Sequence, residues 1–215
     1  MELTCPAPDR PLGATLWLPP AGTGPFAAGV ALVGGQMWNR DGDLPDSAWH
    51  HYADVADAIS RGGGAALLFD KGGTGATGGP PADDGQRVRE AVAALACVRQ
   101  RPEVDGGRVT LIGHSDGSVV ATEVALGDPT LHGLVLLSRG ADPERLAQLP
   151  VTLPVLLVRS EHDFGVEDDL ERLRVLAGTA ALAEPAAVRR GKNAASGPLT
   201  ATGSARMILA RGTRA

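Results

Sequence analysis

The apolar pattern along the chain changes period several times, and those changes mark out its elements. Residues 14–18 alternate and predict an early strand, ended by Pro19-Pro20. Ala27 to Val33 is an apolar run that predicts a second strand, stopped by Gly34-Gly35. A polar loop follows to about Asp46. Tyr52, Val55, Ala56 and Ile59 recur at helical spacing and predict a helix over 47–61, closed by Gly62-Gly63-Gly64. Residues 65–69 read as a buried strand and the glycine- and proline-rich residues 70–85 as loop. Asp83 or Asp84 caps the next predicted helix, with Val88, Val92, Leu95 and Val98 as its apolar face. Pro102 to Gly107 reads as a return loop, 109–113 as a strand and 117–126 as a helix. Strands are predicted at 133–138 and 154–159, a helix at 167–177 and a weak last strand at 186–190. Residues 191–215 are small and polar apart from Met207-Ile208-Leu209-Ala210, which leaves a frayed helix or disorder as the readings.

Strands alternating with helices predict the α/β class, with a mostly parallel central sheet and helices on both faces. One domain is expected over residues 1–215, poorly defined beyond 191. The length of 215 residues and the 43% hydrophobic content are enough for a full core. A net charge of −5 argues against nucleic acid or an anionic membrane as partner. No run approaches membrane-spanning length and Met1 to Arg10 lacks the shape of a signal peptide, so a cytoplasmic protein is expected. Cys5 and Cys97 are too few and too far apart to suggest a disulfide framework or a metal site, and Cys97 reads as an inert buried thiol in a helix. No metal and no organic cofactor is expected.

The candidate chemistry lies in Val109-Thr110-Leu111-Ile112-Gly113-His114-Ser115-Asp116-Gly117-Ser118. An apolar strand runs into Gly-x-Ser-x-Gly and then into a helix, which is the context of a nucleophile elbow. Such a turn holds its serine in a strained conformation at a helix N-terminus, where developing negative charge is favoured. Ser115 is therefore the candidate nucleophile of a serine hydrolase. The oxyanion hole would use the backbone N–H of Asp116 with that of Gln36 or Met37 in the glycine loop.

Other segments fall in an order that carries a family resemblance. They are Gly34-Gly35-Gln36-Met37-Trp38-Asn39-Arg40-Asp41-Gly42, Phe69-Asp70-Lys71-Gly72-Gly73-Thr74-Gly75, Pro102-Glu103-Val104-Asp105 and Pro154-Val155-Leu156-Leu157-Val158-Arg159-Ser160-Glu161-His162-Asp163. Together with the elbow, they resemble the α/β-hydrolase superfamily, and within it the dienelactone-hydrolase-like esterases, over about residues 12–194. The resemblance implies an α/β-hydrolase fold with Asp163 as the acid that orients a histidine base. It places that base after the last strand, where Gly191-Lys192-Asn193-Ala194 aligns and alanine stands at the expected position. No histidine follows His162. His51, His50 and His162 are the candidates for a substitute base. His114 is expected to point away from the serine, and His132 to lie at the opposite end of the sheet.

The resemblance further implies that Arg40-Asp41 and Asp70-Lys71 are scaffold ion pairs. Relatives often carry a helical lid between the strands at 133–138 and 154–159. Only residues 139–153 are available for it here, so no lid or a minimal one is expected, with a site that is shallow and open or completed by another subunit. The expected function is hydrolysis of a small carboxylic ester or related acyl substrate through an acyl-serine at Ser115, by an impaired or atypical enzyme whose triad is incomplete. The alternative is a catalytically inactive binding or scaffolding protein on the same fold; a homo-oligomer is left open. Gly73-Thr74-Gly75-Ala76-Thr77-Gly78 also fits a dinucleotide-binding loop, but Gly79-Pro80-Pro81 follows where such a loop must open into a helix.

Overall fold

Strand β3 (Phe26–Leu32) sends Val30 and Leu32 to one side and Ala31 to the other. Strand β4 (Ala65–Phe69) does the same with Ala65, Leu67 and Phe69 against Ala66 and Leu68. This period of two is what a sheet covered on both faces requires. Helix α1 (His51–Arg61) covers one face with Tyr52 and Ala56. Helices α2 (Asp84–Arg99) and α3 (Asp116–Gly127) cover the other with Ala91, Ala94, Val98, Val120 and Val124. The computed structural model describes residues 1–35, 37–138, 142–150, 152–160, 182–183 and 205–210.

The remaining described elements are strands β1 (Glu2–Cys5), β2 (Leu12–Trp17), β5 (Val104–His114), β6 (Gly133–Leu137), β7 (Val155–Ser160), β8 (Leu182–Ala183) and β9 (Ala205–Ala210), and the short helix α4 (Pro143–Leu146). Among the described residues the strands form one sheet in the order β1-β2-β4-β3-β5-β6-β7-β9-β8. The block from β4 to β7 is parallel, and antiparallel strands flank it on both sides. From β3 the chain passes through α1 to β4 on one side, then through α2 to β5 on the other. The order reverses there, and ligands of open α/β sheets bind in the crevice outside the carboxyl ends of strands at such a point.

Several expectations need correction. Residues 104–107 are not loop, because β5 already begins at Val104. Phe26 pairs with Val104 and Ala28 with Val109, so the intervening polar residues bulge out of register. Val92 is 51% exposed, because α2 turns Ala91, Ala94 and Val98 to the sheet instead. Helix α1 starts at His51 rather than 47. The Asp43 carboxylate accepts the N–H groups of Trp49 and His50, and the Asp41 carbonyl accepts those of Tyr52 and Ala53. Met207 to Ala210 is neither frayed helix nor disorder: it lies within β9, paired with β7 from Val155↔Ala210 to Ser160↔Ala205. Cys5 and Cys97 are joined in a disulfide with Cα atoms 5.6 Å apart, because edge strand β1 crosses α2. Cys97 is therefore no free thiol. The helix expected at 167–177 and the strand expected at 186–190 lie outside the described residues. No helix among those described is long and apolar enough to cross a membrane.

Candidate active site

Strands β3 and β5 run side by side, with Leu32 opposite Gly113, so the segments that leave them emerge together. At the end of β5, Ser115 has φ 53° and ψ −122° and caps α3. A non-glycine residue held at positive φ persists only where its surroundings over-determine it. The two glycines of the motif supply that constraint. A Cβ on Gly113 would lie 2.6 Å from Gly117 O and from Ser118 Cα, and one on Gly117 would lie 2.3 Å from Leu32 O. The Ser115 N–H donates to Leu137 O of β6, and Ser118 Oγ donates to Gly113 O.

The loop after β3 lies against this turn. A Cβ on Gly34 would stand 3.3 Å from both Ser115 Cβ and His114 Nδ1, and one on Gly35 would stand 2.3 Å from Asp116 Oδ2. Tyr52 accepts the Gly34 N–H at 2.8 Å and lies 2.7 Å from His114 Nδ1. Burial pushes the Tyr52 phenol up to about 12, so it keeps its proton and directs it to His114. His114 thus packs against α1 through Tyr52.

The candidate bases separate by environment. His51 lies against Trp38, with ring centroids 4.9 Å apart, and its centroid is 6.2 Å from that of His114. Burial lowers the His51 pKa, against the opposing pull of Asp43 and Asp54. His50 is exposed, in the left-handed region at φ 54°, with Nδ1 3.2 Å from Asp43 Oδ2. His132 precedes β6 at the opposite end of the sheet from the elbow. Asp43 is a residue the sequence reasoning missed. Its signal is the Asn39–Asp43 turn, in which Asn39 Oδ1 accepts the N–H groups of Asp41, Gly42 and Asp43. Gln36, His162 and Asp163 lie outside the described residues. Met37 is 41% exposed beside the glycine loop.

The charged motifs divide differently from the expectation. Asp70, 2% exposed, accepts the Arg40 N–H and Nη1 and the Ala76 N–H, so Arg40 and Asp70 form the scaffold pair. Asp41 acts through its carbonyl, and Lys71 donates to the carbonyls of Gly34 and Gly35. The 73–78 glycines wrap around Asp70: a Cβ on Gly75 would stand 2.3 Å from its carboxyl oxygens. Helix α2 begins only at Asp84, behind a reciprocal cap between Asp83 and Gln86, so these glycines open no helix. That removes the dinucleotide reading. Among the described residues no cluster of His, Cys, Asp and Glu could hold a metal.

The chain matches no protein-family model and no curated protein. Its backbone is similar to that of solved structures. One is hypothetical protein PA2218 from Pseudomonas aeruginosa (22% identity, TM-score 0.56, 90% of this chain and 59% of that one). Another is the α/β hydrolase GrgF from Penicillium sp. sh18 (20% identity, TM-score 0.52, 64% of this chain and 44% of that one). A third is XC6422 from Xanthomonas campestris, an α/β serine hydrolase without lid (19% identity, TM-score 0.50, 64% of this chain and 60% of that one). The chain has the α/β-hydrolase fold. It spans about half the length of the structures it resembles. In this α/β-hydrolase fold the described elbow, glycine loop and α1 N-terminus meet at the carboxyl end of the parallel block, on the β3/β5 crevice.

Proposed function

We propose that the protein is a serine hydrolase acting on small carboxylic esters or related acyl substrates, of the dienelactone-hydrolase-like kind. The observation that carries this reading is Ser115 at φ 53° and ψ −122° at the head of α3, with Gly34 packed against it. Ser115 Oγ attacks the acyl carbon and its proton passes to a histidine. The negative charge on the former carbonyl oxygen is received by the amide of Asp116 and by an amide of the glycine loop, Gln36 or Met37. The alkoxide leaves with the proton, and water then cleaves the acyl-serine by the reverse sequence.

His51 is the base this reading favours. It borders the site through Trp38 and His114, and its lowered pKa keeps the imidazole neutral and able to accept a proton at neutral pH. Asp43 pairs with His50, where it can orient the imidazole, and its charge favours the protonated form of His51. Asp163 and His162 remain the acid and base that the family resemblance implies. Similarity to a lidless serine hydrolase supports an open site suited to small substrates.

Alanine at position 194 favours a second reading, a binding protein on the same fold. Hydrolysis of p-nitrophenyl butyrate by the protein and by its Ser115→Ala variant separates the two. Turnover that vanishes in the variant supports the hydrolase. Equal rates near background support the binding protein, whereas weak turnover alone does not establish the hydrolase, because an elbow without its base still gives about 10³-fold over water.

A further inference from the structure

Three successive carbonyls at the exit of β3 are held from beneath by cationic side chains. Arg87 of α2 donates to Val33 O at 3.1 Å. Lys71, two residues beyond β4, donates to Gly34 O at 2.5 Å and to Gly35 O at 3.1 Å. A trans peptide points its N–H opposite to its C=O. The Val33 and Gly34 carbonyls, drawn to one side, therefore turn the Gly34 and Gly35 amides to the other, and successive amides turned one way form a concavity for anions. The first of these amides, that of Gly34, ends on the Tyr52 phenol, so the loop is gripped from α1 as well.

Lys71 is an expensive way to build this contact. It is 8% exposed, and its charge is solvated by peptide oxygens rather than by water. Burying an ammonium carries a desolvation penalty that its hydrogen bonds must offset. An apolar side chain would fill the same space, beside Phe69 and the small cavity that Lys71 shares with Arg87 and Glu90, at less cost. What the ammonium adds is orientation of the loop and positive charge behind its peptides.

We propose that Lys71 is a positioning residue for acyl transfer at Ser115, fixing and polarising the glycine-loop peptides whose amides receive the negative charge on the substrate oxygen. The inference rests on the hydrolase reading above. The charged groups facing Lys71 are Arg87 and Glu90 from α2 and Asp116 from α3. Burial, reinforced by Arg87 and opposed by Asp116 and Glu90, lowers its pKa from 10.5 to about 8. The ammonium is present at neutral pH and is lost as pH rises through about 8. The grip on the loop weakens over the same range.

The test pairs a backbone signal with a rate. Amide nitrogen and proton shifts of Gly34 and Gly35 are followed from pH 6 to 10 in the wild-type protein by NMR, which needs no turnover. Ester hydrolysis is measured beside it for wild type, Ser115→Ala, Lys71→Met and Lys71→Arg. The expected result is a Gly35 titration with a midpoint near 8 and an alkaline fall in kcat at the same pH. Lys71→Met should lower kcat by about tenfold or more with KM nearly unchanged. Lys71→Arg, whose charge persists, should lose the fall near pH 8. Gly34 and Gly35 shifts that ignore pH overturn the proposal even if Lys71→Met fails to fold. A folded Lys71→Met with wild-type kcat overturns it too. Wild-type turnover equal to that of Ser115→Ala removes the hydrolase reading, and with it the role of Lys71, whatever the amides do.

Discussion

The Tyr52 hydroxyl lies 2.7 Å from His114 Nδ1 and ties helix α1 to the residue before the candidate nucleophile. The same oxygen accepts the buried Gly34 N–H, so one phenol links α1, the elbow and the glycine loop. Removing it by Tyr52→Phe leaves that N–H without its partner. The expected loss of stability is about 1–3 kcal/mol. Urea denaturation checks it through the midpoint, with the m-value unchanged. A midpoint equal to wild type would mean that water or another group satisfies Gly34. Turnover should fall in the same variant, because the loop over Ser115 loses its anchor on α1.

Glycines around the elbow differ in what a methyl group would meet, and the difference predicts a contrast. On Gly117 the new Cβ would stand 2.3 Å from Leu32 O, at the end of central strand β3, and 2.8 Å from Val33 O just beyond it, both backbone atoms. Neither can move without opening the sheet, so Gly117→Ala should cost about 4 kcal/mol or more, or fail to fold. On Gly35 the clash is with Asp116 Oδ2, a side-chain atom rather than backbone. Gly35→Ala should fold with a smaller loss than Gly117→Ala, while displacing Asp116 and lowering turnover. Thermal unfolding of both variants gives the comparison. Equal destabilisation would contradict the packing described for the elbow.

The elbow, the strand-helix alternation and the capping of α2 by Asp83 were legible because each is local. A few residues and their spacing fix a turn, a period or a cap. The features that were not legible are made by residues distant in sequence. Nothing near Cys5 announces Cys97, since their contact depends on β1 reaching the sheet edge and crossing α2. Met207 to Ala210 is too short to declare itself a strand, and it becomes one by pairing with β7. Lys71 stood beside Asp70 and was read with it as ion-pair scaffold. Chain reversal after β4 sends the two side chains to different partners, Asp70 to Arg40 and Lys71 to the glycine loop. The pairing of Asp43 with His50 carries no signal in the sequence, because it is made by the turn between them.

The Cys5–Cys97 bridge closes a loop of 92 residues in sequence and anchors the edge strand β1 to α2. A cross-link of that span restricts the unfolded chain, and its removal typically costs about 2–4 kcal/mol. Thiol titration of the unreduced, denatured protein should find no free thiol from this pair. Cys5→Ser/Cys97→Ser should lower the urea midpoint accordingly, while any ester turnover at the elbow, which follows β5 four strands in from β1, is kept. Two titratable thiols in protein purified without reductant would show that the bridge does not form under those conditions. The outcome also bears on compartment, because such bridges persist chiefly where the surroundings are oxidising.

His50 and His51 are adjacent in the chain, yet they should behave oppositely in a pH series. Burial holds the His51 pKa below its ordinary 6.5, so the imidazole stays neutral to lower pH than a free one. Used as the base, it gives a kcat/KM that rises with pH through that lowered value, with the acid midpoint below 6.5. The linkage has the same sign. Between the folded and unfolded values the unfolded chain binds the His51 proton more readily, so this residue's contribution to stability falls as pH drops through that window. His51→Ala should abolish the limb together with most of the turnover, and should flatten the stability change below 6.5. His50, exposed and paired with Asp43, should be replaceable by alanine with the limb left in place. An acid limb that survives His51→Ala and disappears in His50→Ala would transfer the role of base to the Asp43–His50 pair. A limb that survives both substitutions would point to His162.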